Sequence, residues 1–255
     1  MKWIDTHTHL YLDEFDQDRK EMMMRLSDVG IVKVLLPNID VRTIESMINM
    51  KKEFSEQVDL MFGLHPCSVK EDYLEQLSEI EKNFKDSEVV GVGEIGLDLY
   101  WDKTYFKEQL DAFEIQLKWA CALNLPVSIH SREATAESIA SVEKFGGQVK
   151  GVFHCFSGSV KEAKKVIDMG MYLGIGGVVT YKNTNLAEVI NSVGLNRIVL
   201  ETDSPYLSPN PHRGKRNESS YIPIIGQKIA EILDVGIETI AELTYTNSIN
   251  VFYKD

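Results

Sequence analysis

The chain has only three cysteines, Cys67, Cys121 and Cys155, in 255 residues. An odd number at wide spacing builds neither a disulfide framework nor a paired-cysteine zinc knuckle. Cys155 directly follows His154, and neighbours on a strand face opposite ways, so it reads as a buried thiol rather than a ligand. Long apolar runs are also missing, with no stretch near the roughly 18 residues that cross a bilayer. The N-terminus lacks a basic segment followed by an apolar one; His7 and His9 stand where the apolar one would be. These absences point to a cytoplasmic protein with no membrane partner. There are few prolines, seven in all, and no repeat, low-complexity tract or linker, so residues 1–255 read as one domain. Positive charge is in deficit: 27 Lys and Arg face 39 Asp and Glu, a net charge of −12. Broad coating of a polyanion is thereby disfavoured. A local cationic site remains open, because charge acts mainly within a Debye length of roughly 8–10 Å.

What is present is a regular alternation. Short apolar runs at 2–6, 31–36, 58–63, 88–93, 126–130, 149–153, 171–175 and 197–202 read as strands. Amphipathic stretches at 16–28, 41–54, 72–85, 105–124, 133–145, 160–169 and 184–193 read as the helices between them, with 219–233 and 236–252 closing the chain. Eight strand–helix units in about 250 residues predict an α/β fold of the (β/α)8 TIM-barrel type, with its active site at the C-terminal strand ends. An open doubly wound sheet would carry a Gly-rich phosphate turn after its first strand, and GxGxxG is absent. The one long irregular segment, 203–218, holds three prolines and the basic residues His212, Arg213, Lys215 and Arg216; a loop of that length in a compact domain is usually functional.

The histidines follow this map. His7 and His9 share a strand face with period two, and Asp5 lies one step deeper on it. His65 follows the third strand, Glu94 ends the fourth, His130 and His154 close the fifth and sixth, and Asp203 closes the eighth. None of the six histidines lies on a predicted helix. In a barrel these ends converge on one mouth. Four histidines and two carboxylates exceed what one first-row ion needs, whereas two ions about 3.5–4 Å apart use all six with a carboxylate between them. Glu94 is the natural bridge: His7, His9, Glu94 and Asp203 would hold one ion, and Glu94, His130 and His154 the other. The cofactors expected are therefore two divalent ions, Zn or Mn by histidine content or Mg by the habits of nucleases.

Trp3-Ile4-Asp5-Thr6-His7-Thr8-His9, Gly63-Leu64-His65-Pro66, Gly93-Glu94-Ile95-Gly96-Leu97-Asp98, His130-Ser131-Arg132, His154-Cys155-Phe156-Ser157-Gly158 and Glu201-Thr202-Asp203-Ser204-Pro205-Tyr206-Leu207 resemble the signatures of the TatD family of metal-dependent deoxyribonucleases. The likeness runs in order through the segment from Pro211 to Glu218, and no ligand position of the family pattern is replaced. It implies a metallo-dependent hydrolase barrel, a two-cation site on the six residues, and hydrolysis of DNA, in some members as a 3′-to-5′ exonuclease. It leaves open an amide or ester substrate, such as a D-aminoacyl-tRNA.

On that reading a water acidified by the cations attacks the phosphodiester, with Asp203 as ligand and general base. His65 bonds a phosphate oxygen or protonates the leaving alkoxide, or else only braces its loop with Pro66. Arg132 and Arg213, the latter with Lys215 and Arg216, offer paired donors to phosphate. Tyr100, Trp101 and Tyr181 stand where bases can stack. Glu201 and Asp5 orient ligands or are merely buried acids, and Asp98, past the expected strand end, orients a ligand or leads a helix. The partner expected is a DNA strand end or short oligonucleotide, gripped locally.

Overall fold

Runs of aliphatic side chains buried on both faces set the strands, and amphipathic segments between them set the helices. The computed structural model describes residues 1–86 and 88–253; position 87 and the last two residues of the expected domain lie outside the described residues. The strands are β1 (Trp3–Asp5), β2 (Ile31–Pro37), β3 (Val58–Phe62), β4 (Val89–Asp98), β5 (Val127–Arg132), β6 (Gly151–Phe153), β7 (Tyr172–Ile175) and β8 (Ile198–Leu200). The helices are α1 (Arg19–Asp28), α2 (Ile44–Glu53), α3 (Tyr73–Asp86), α4 (Phe106–Leu123), α5 (Thr135–Glu143), α6 (Val160–Asp168), α7 (Leu186–Val193), α8 (Ile222–Leu233) and α9 (Ile237–Phe252).

Each strand pairs in parallel with the next, in the order β1 to β8. Between β8 and β1 the ring is drawn together by bonds outside the ladders. Both the N–H and the hydroxyl of Thr6 donate to the Leu200 carbonyl at 3.0 Å, and the Asp203 N–H donates to the His7 carbonyl at 2.9 Å. This is the (β/α)8 barrel that the alternation predicts. Its larger core lies between strands and helices, where Trp3, Phe62, Phe113 and Phe153 are fully buried. A smaller cluster joins Ile4, Leu35, Met61, Val152, Tyr172 and Val199 to Val251 and Phe252 of α9. Tyr253, just past α9, donates from its hydroxyl to Asp59 near the start of β3 at 2.6 Å. The chain's end thus covers the N-terminal ends of the strands, leaving the opposite mouth for the site.

Several strand boundaries depart from the sequence reading. β5 runs past His130 to Arg132, and β8 stops at Leu200, three residues before Asp203. The departures in β1 and β4 matter most to the site. β1 stops at Asp5, because Thr6 bonds across to β8 and the His9 N–H donates to the Ser204 carbonyl at 2.7 Å. The period-two argument therefore does not extend to His7 and His9. β4 runs on to Asp98, so Glu94 lies inside it rather than at its end. Between Val92 and Ile95, β4 uses three residues where β5 uses two. Glu94 occupies this bulge, a device that re-aims a side chain within a sheet.

Gly96 lets β4 continue past the bulge. Its φ of +135° is open to glycine, and a Cβ there would land on the His130 carbonyl oxygen. Gly96→Ala is expected to cost about 3 kcal/mol through backbone strain and overpacking. Urea unfolding followed by circular dichroism checks this; a midpoint equal to that of the parent would contradict it.

Candidate metal centre

The β4 bulge directs the Glu94 carboxylate into the mouth, where five of the six histidines meet it. Its Oε2 lies 3.2 Å from His7 Nε2 and 3.5 Å from His9 Nε2. Its Oε1 lies 2.8 Å from His130 Nδ1, 2.9 Å from His154 Nε2 and 3.3 Å from His65 Nε2. Asp203 enters from the far side, with Oδ1 3.5 Å from His9 Nε2 and 3.9 Å from His7 Nε2. The rings of His7 and His154 stack 3.7 Å apart, and His9 meets His7 edge-on at 5.2 Å. The structure thus gathers the five other sequence-predicted ligands about Glu94, with His65 beside them.

Hydrogen bonds on the outer ring nitrogens decide which nitrogen faces the centre. The Tyr11 hydroxyl donates to the Pro37 carbonyl at 2.7 Å, so at 2.9 Å it accepts from His9 Nδ1–H. In the neutral ring this leaves the His9 Nε2 lone pair turned towards two carboxylate oxygens. Three acceptors cannot satisfy one another; a cation between them can. Atoms about 2.1 Å from a tetrahedral ion lie about 3.4 Å from each other, close to the 3.2–3.9 Å found among His7, His9, Glu94 and Asp203. His7 Nδ1 lies 2.9 Å from Ser128 Oγ. His130 lies between two carboxylates, with Nε2 2.8 Å from Asp98. Glu201 faces His154 Nδ1 at 3.4 Å and accepts from the Cys155 N–H.

His65 is wired the other way. The Cys67 N–H donates to its Nδ1 at 3.0 Å, so the proton of the neutral ring sits on Nε2, facing the site. In that tautomer Nε2 is a donor rather than a ligand, although it lies within reach of an ion on Glu94 and His130.

Burial works against every charge here, and the mutual contacts outweigh it. Asp203 and Glu94 lift His9 to about 10 against desolvation. His154 is held well above its ordinary value by Glu94 and Glu201, while His130 and His65 are raised by their carboxylates. Burial and the neighbouring His154 push His7 down. Glu94 stays well below the usual carboxylate range because His65, His154 and His7 surround it. Protons therefore occupy the positions that a metal would take, and the donor set of imidazoles and carboxylates fits a divalent transition ion.

A cavity of about 630 Å³ opens over this centre, walled also by Arg132, Trp101, Tyr206 and Cys155. Burial and nearby carboxylates push the Cys155 thiol up, so it stays protonated. The Arg132 guanidinium lies 3.8 Å from the Tyr100 ring centroid and 5.2 Å from that of Trp101. Asp98 ties this rim to the centre: Oδ1 accepts from the Tyr100 and Trp101 N–H groups at 2.9 Å, and Oδ2 faces His130.

Other expected residues fall elsewhere. Asp5 is not on the His7 face; it accepts from the Thr202 hydroxyl and the Ser219 hydroxyl, each at 2.6 Å, and burial pushes it up to about 7. Arg216 is no phosphate contact, because it is paired with Asp18 at 2.6 and 2.8 Å and lies over Phe15. His212 stacks on Tyr221 at 4.2 Å. Arg213 lies over Tyr181 beside a separate depression. Tyr11 and Ser128 escaped the sequence reading, although Ser128 stands two residues before His130 on β5, where the strand period points.

A barrel whose C-terminal rim collects imidazoles on a shared carboxylate defines a metal-dependent hydrolase. The chain belongs to the TatD-related DNase family, whose model matches residues 4–253. It is 35% identical over 250 residues to the uncharacterized metal-dependent hydrolase YabD of Bacillus subtilis, covering 97% of this chain and 98% of that one. It is 30% identical over 283 residues to the deoxyribonuclease Tat-D of Schizosaccharomyces pombe, covering 95% and 88%. The crystal structure of YjjV, a TatD homologue from Escherichia coli K12, superposes with a TM-score of 0.92 at 26% identity, covering 99% and 98%.

Two outcomes are expected. Because raised imidazoles must lose protons before they coordinate, loading the protein with Zn or Mn at pH 7 releases protons, and affinity rises from pH 6 to 8. Calorimetry in buffers of different ionisation enthalpy reads this; loading without proton release would contradict it. Tyr11→Phe frees the His9 tautomer and should weaken metal affinity about 10- to 100-fold with the fold retained.

Proposed function

We propose that the protein hydrolyses phosphodiester bonds of DNA, removing nucleotides from the 3′ end, with two divalent cations at the centre. The observation that carries this reading is the division of Glu94: Oε2 faces His7 and His9, while Oε1 faces His130 and His154. His7, His9, Glu94 and Asp203 would hold one cation, and Glu94, His130 and His154 the other. When bound, such cations acidify a water and neutralise charge that develops on the phosphoryl oxygens.

The protein's own side chains do the rest. Asp203 is the more open of the two carboxylates, its side chain 16% exposed against 3% for Glu94, and it receives the proton of the attacking water. His65 presents Nε2–H and gives that proton to the departing alkoxide. Arg132, with its guanidinium on the rim aromatics, directs paired donors at a phosphate. Trp101, 68% exposed, offers a face on which a base can stack. The deoxyribonuclease among the relatives supports DNA as the substrate.

The test is an end-labelled single strand incubated with Mn, Mg or Zn. Stepwise shortening from the 3′ end is expected, abolished by excess chelator and by His130→Ala or Asp203→Asn; robust digestion in chelator would sink the reading. His65→Gln should keep its metal and lose about 10²- to 10³-fold in kcat on DNA. On a p-nitrophenyl nucleotide ester, whose leaving group needs no proton, its loss should be small. Equal losses on both substrates would remove His65 as the acid.

A further inference from the structure

The depression beside Arg213 is distinct from the cavity over the metal centre. It encloses about 330 Å³ and is lined by Tyr181, Lys182, Asn183, Asn210 and Arg213. Arg213 lies 4.4 Å from the Tyr181 ring centroid, and neither it nor Lys182 has a carboxylate within 4 Å among the described residues. Arg25 and Arg216, by contrast, are both spent on Asp18 and Glu218. The two segments that border the depression, 169–187 and 204–217, contain no acidic residue in a chain that has 39. The local field is therefore positive on a molecule that is negative overall.

The depression is also built in advance. The Tyr181 hydroxyl donates to the Ser208 carbonyl at 2.9 Å, and the Asn210 amide donates to the Thr180 carbonyl at 2.8 Å. The Asn210 N–H donates to the Thr180 hydroxyl at 2.9 Å. These bonds staple the loop after β7 to the loop after β8, so little ordering is left for a ligand to impose. The same two loops supply Val178, Tyr206 and Leu207 to the wall of the central cavity. The depression is thus the next stop along the mouth from the metal centre, on the β7–β8 side, whereas Arg132 and Trp101 stand on the β4–β5 side.

We infer that Tyr181, Lys182 and Arg213 form an outer subsite for a second phosphate of the strand, removed from the linkage under hydrolysis. The inference rests on the phosphodiesterase reading for its substrate class. A guanidinium held over an aromatic ring keeps its N–H donors free for phosphate oxygens, with the ammonium of Lys182 adding charge. The protein would then prefer strands that reach both sites over dinucleotides that fill only the centre.

The experiment uses the manganese-loaded protein and labelled hexathymidylate, either native or with one neutral methylphosphonate placed in turn at each linkage other than the terminal one. In the parent protein one internal position should lower kcat/KM about tenfold, chiefly through KM. Arg213→Ala should show that penalty on the native strand and none further at that position. Fluorescence anisotropy of the same strands on the Asp203→Asn protein reads the subsite without cleavage and should give the same position-specific loss. Additive penalties at every linkage, or binding indifferent to Arg213, overturn the subsite. Position-specific binding lost in Arg213→Ala while the native strand stays intact supports the subsite and overturns the hydrolysis proposed above.

Discussion

One carboxylate shared by five imidazoles is the constraint from which the rest of this molecule follows. A buried acid with no partners costs several kcal/mol to keep ionised, yet Glu94 is nearly inaccessible and lies deep in the barrel mouth. Five ring nitrogens within 3.5 Å hold its charge. Those rings come from β5 and from the segments that follow β1, β3 and β6, which are remote in sequence and brought together only once the barrel has formed. The bulge in β4 and the glycine after it exist where Glu94 has to be aimed inward. The barrel and its centre are in this sense one object.

The layer behind the rings converts a cluster of histidines into a centre with divided tasks. His9 and His65 are chemically the same residue, and they face the same carboxylate at 3.5 and 3.3 Å. What separates them is the group on the other nitrogen. Tyr11 accepts from His9, so His9 turns a lone pair inward; the Cys67 N–H donates to His65, so His65 turns a proton inward. On the reading proposed above, a ligand and an acid are told apart by the direction of one hydrogen bond each. Asp98 extends the same logic outward, because the carboxylate that orients His130 also holds the backbone of Tyr100 and Trp101.

Much of this was legible in the sequence. Strands such as Val58–Phe62 and Tyr172–Ile175 are short runs buried on both faces, and the spacing of eight strands leaves little choice but a barrel. His130, His154 and Asp203 could be placed because a strand end in a barrel has only one destination. The misplacements share a cause. β4 was ended at Glu94, short of Asp98, because a strand that continues through a bulge is recognised only from the β5 backbone beside it. Asp5 was put on the wrong side because the chain bends at Thr6, under a bond to Leu200 that is 194 residues away. No local pattern carries that information. Tyr11 was missed for a similar reason: its role depends on the Pro37 carbonyl of the neighbouring strand.

The loop after β8 shows why charge in a sequence cannot be assigned a task before its partners are placed. Arg213 and Arg216 lie three residues apart and read alike. Arg216 meets Asp18, nearly two hundred residues earlier, and closes a network with Arg25 and Glu218 that clamps the loop to α1. Among the described residues Arg213 meets an aromatic face and no carboxylate. The chain's acidic excess sharpens this contrast. With acids so plentiful, a cation left without one is a cation kept clear of them, as the acid-free segments on either side of Arg213 achieve. The acidic surface repels a polyanion at long range and screens away within a Debye length. On the reading proposed above, the cations at the mouth that lack an acidic partner among the described residues then act at contact distance, which favours a strand entering one end at a time over a duplex lying across the surface.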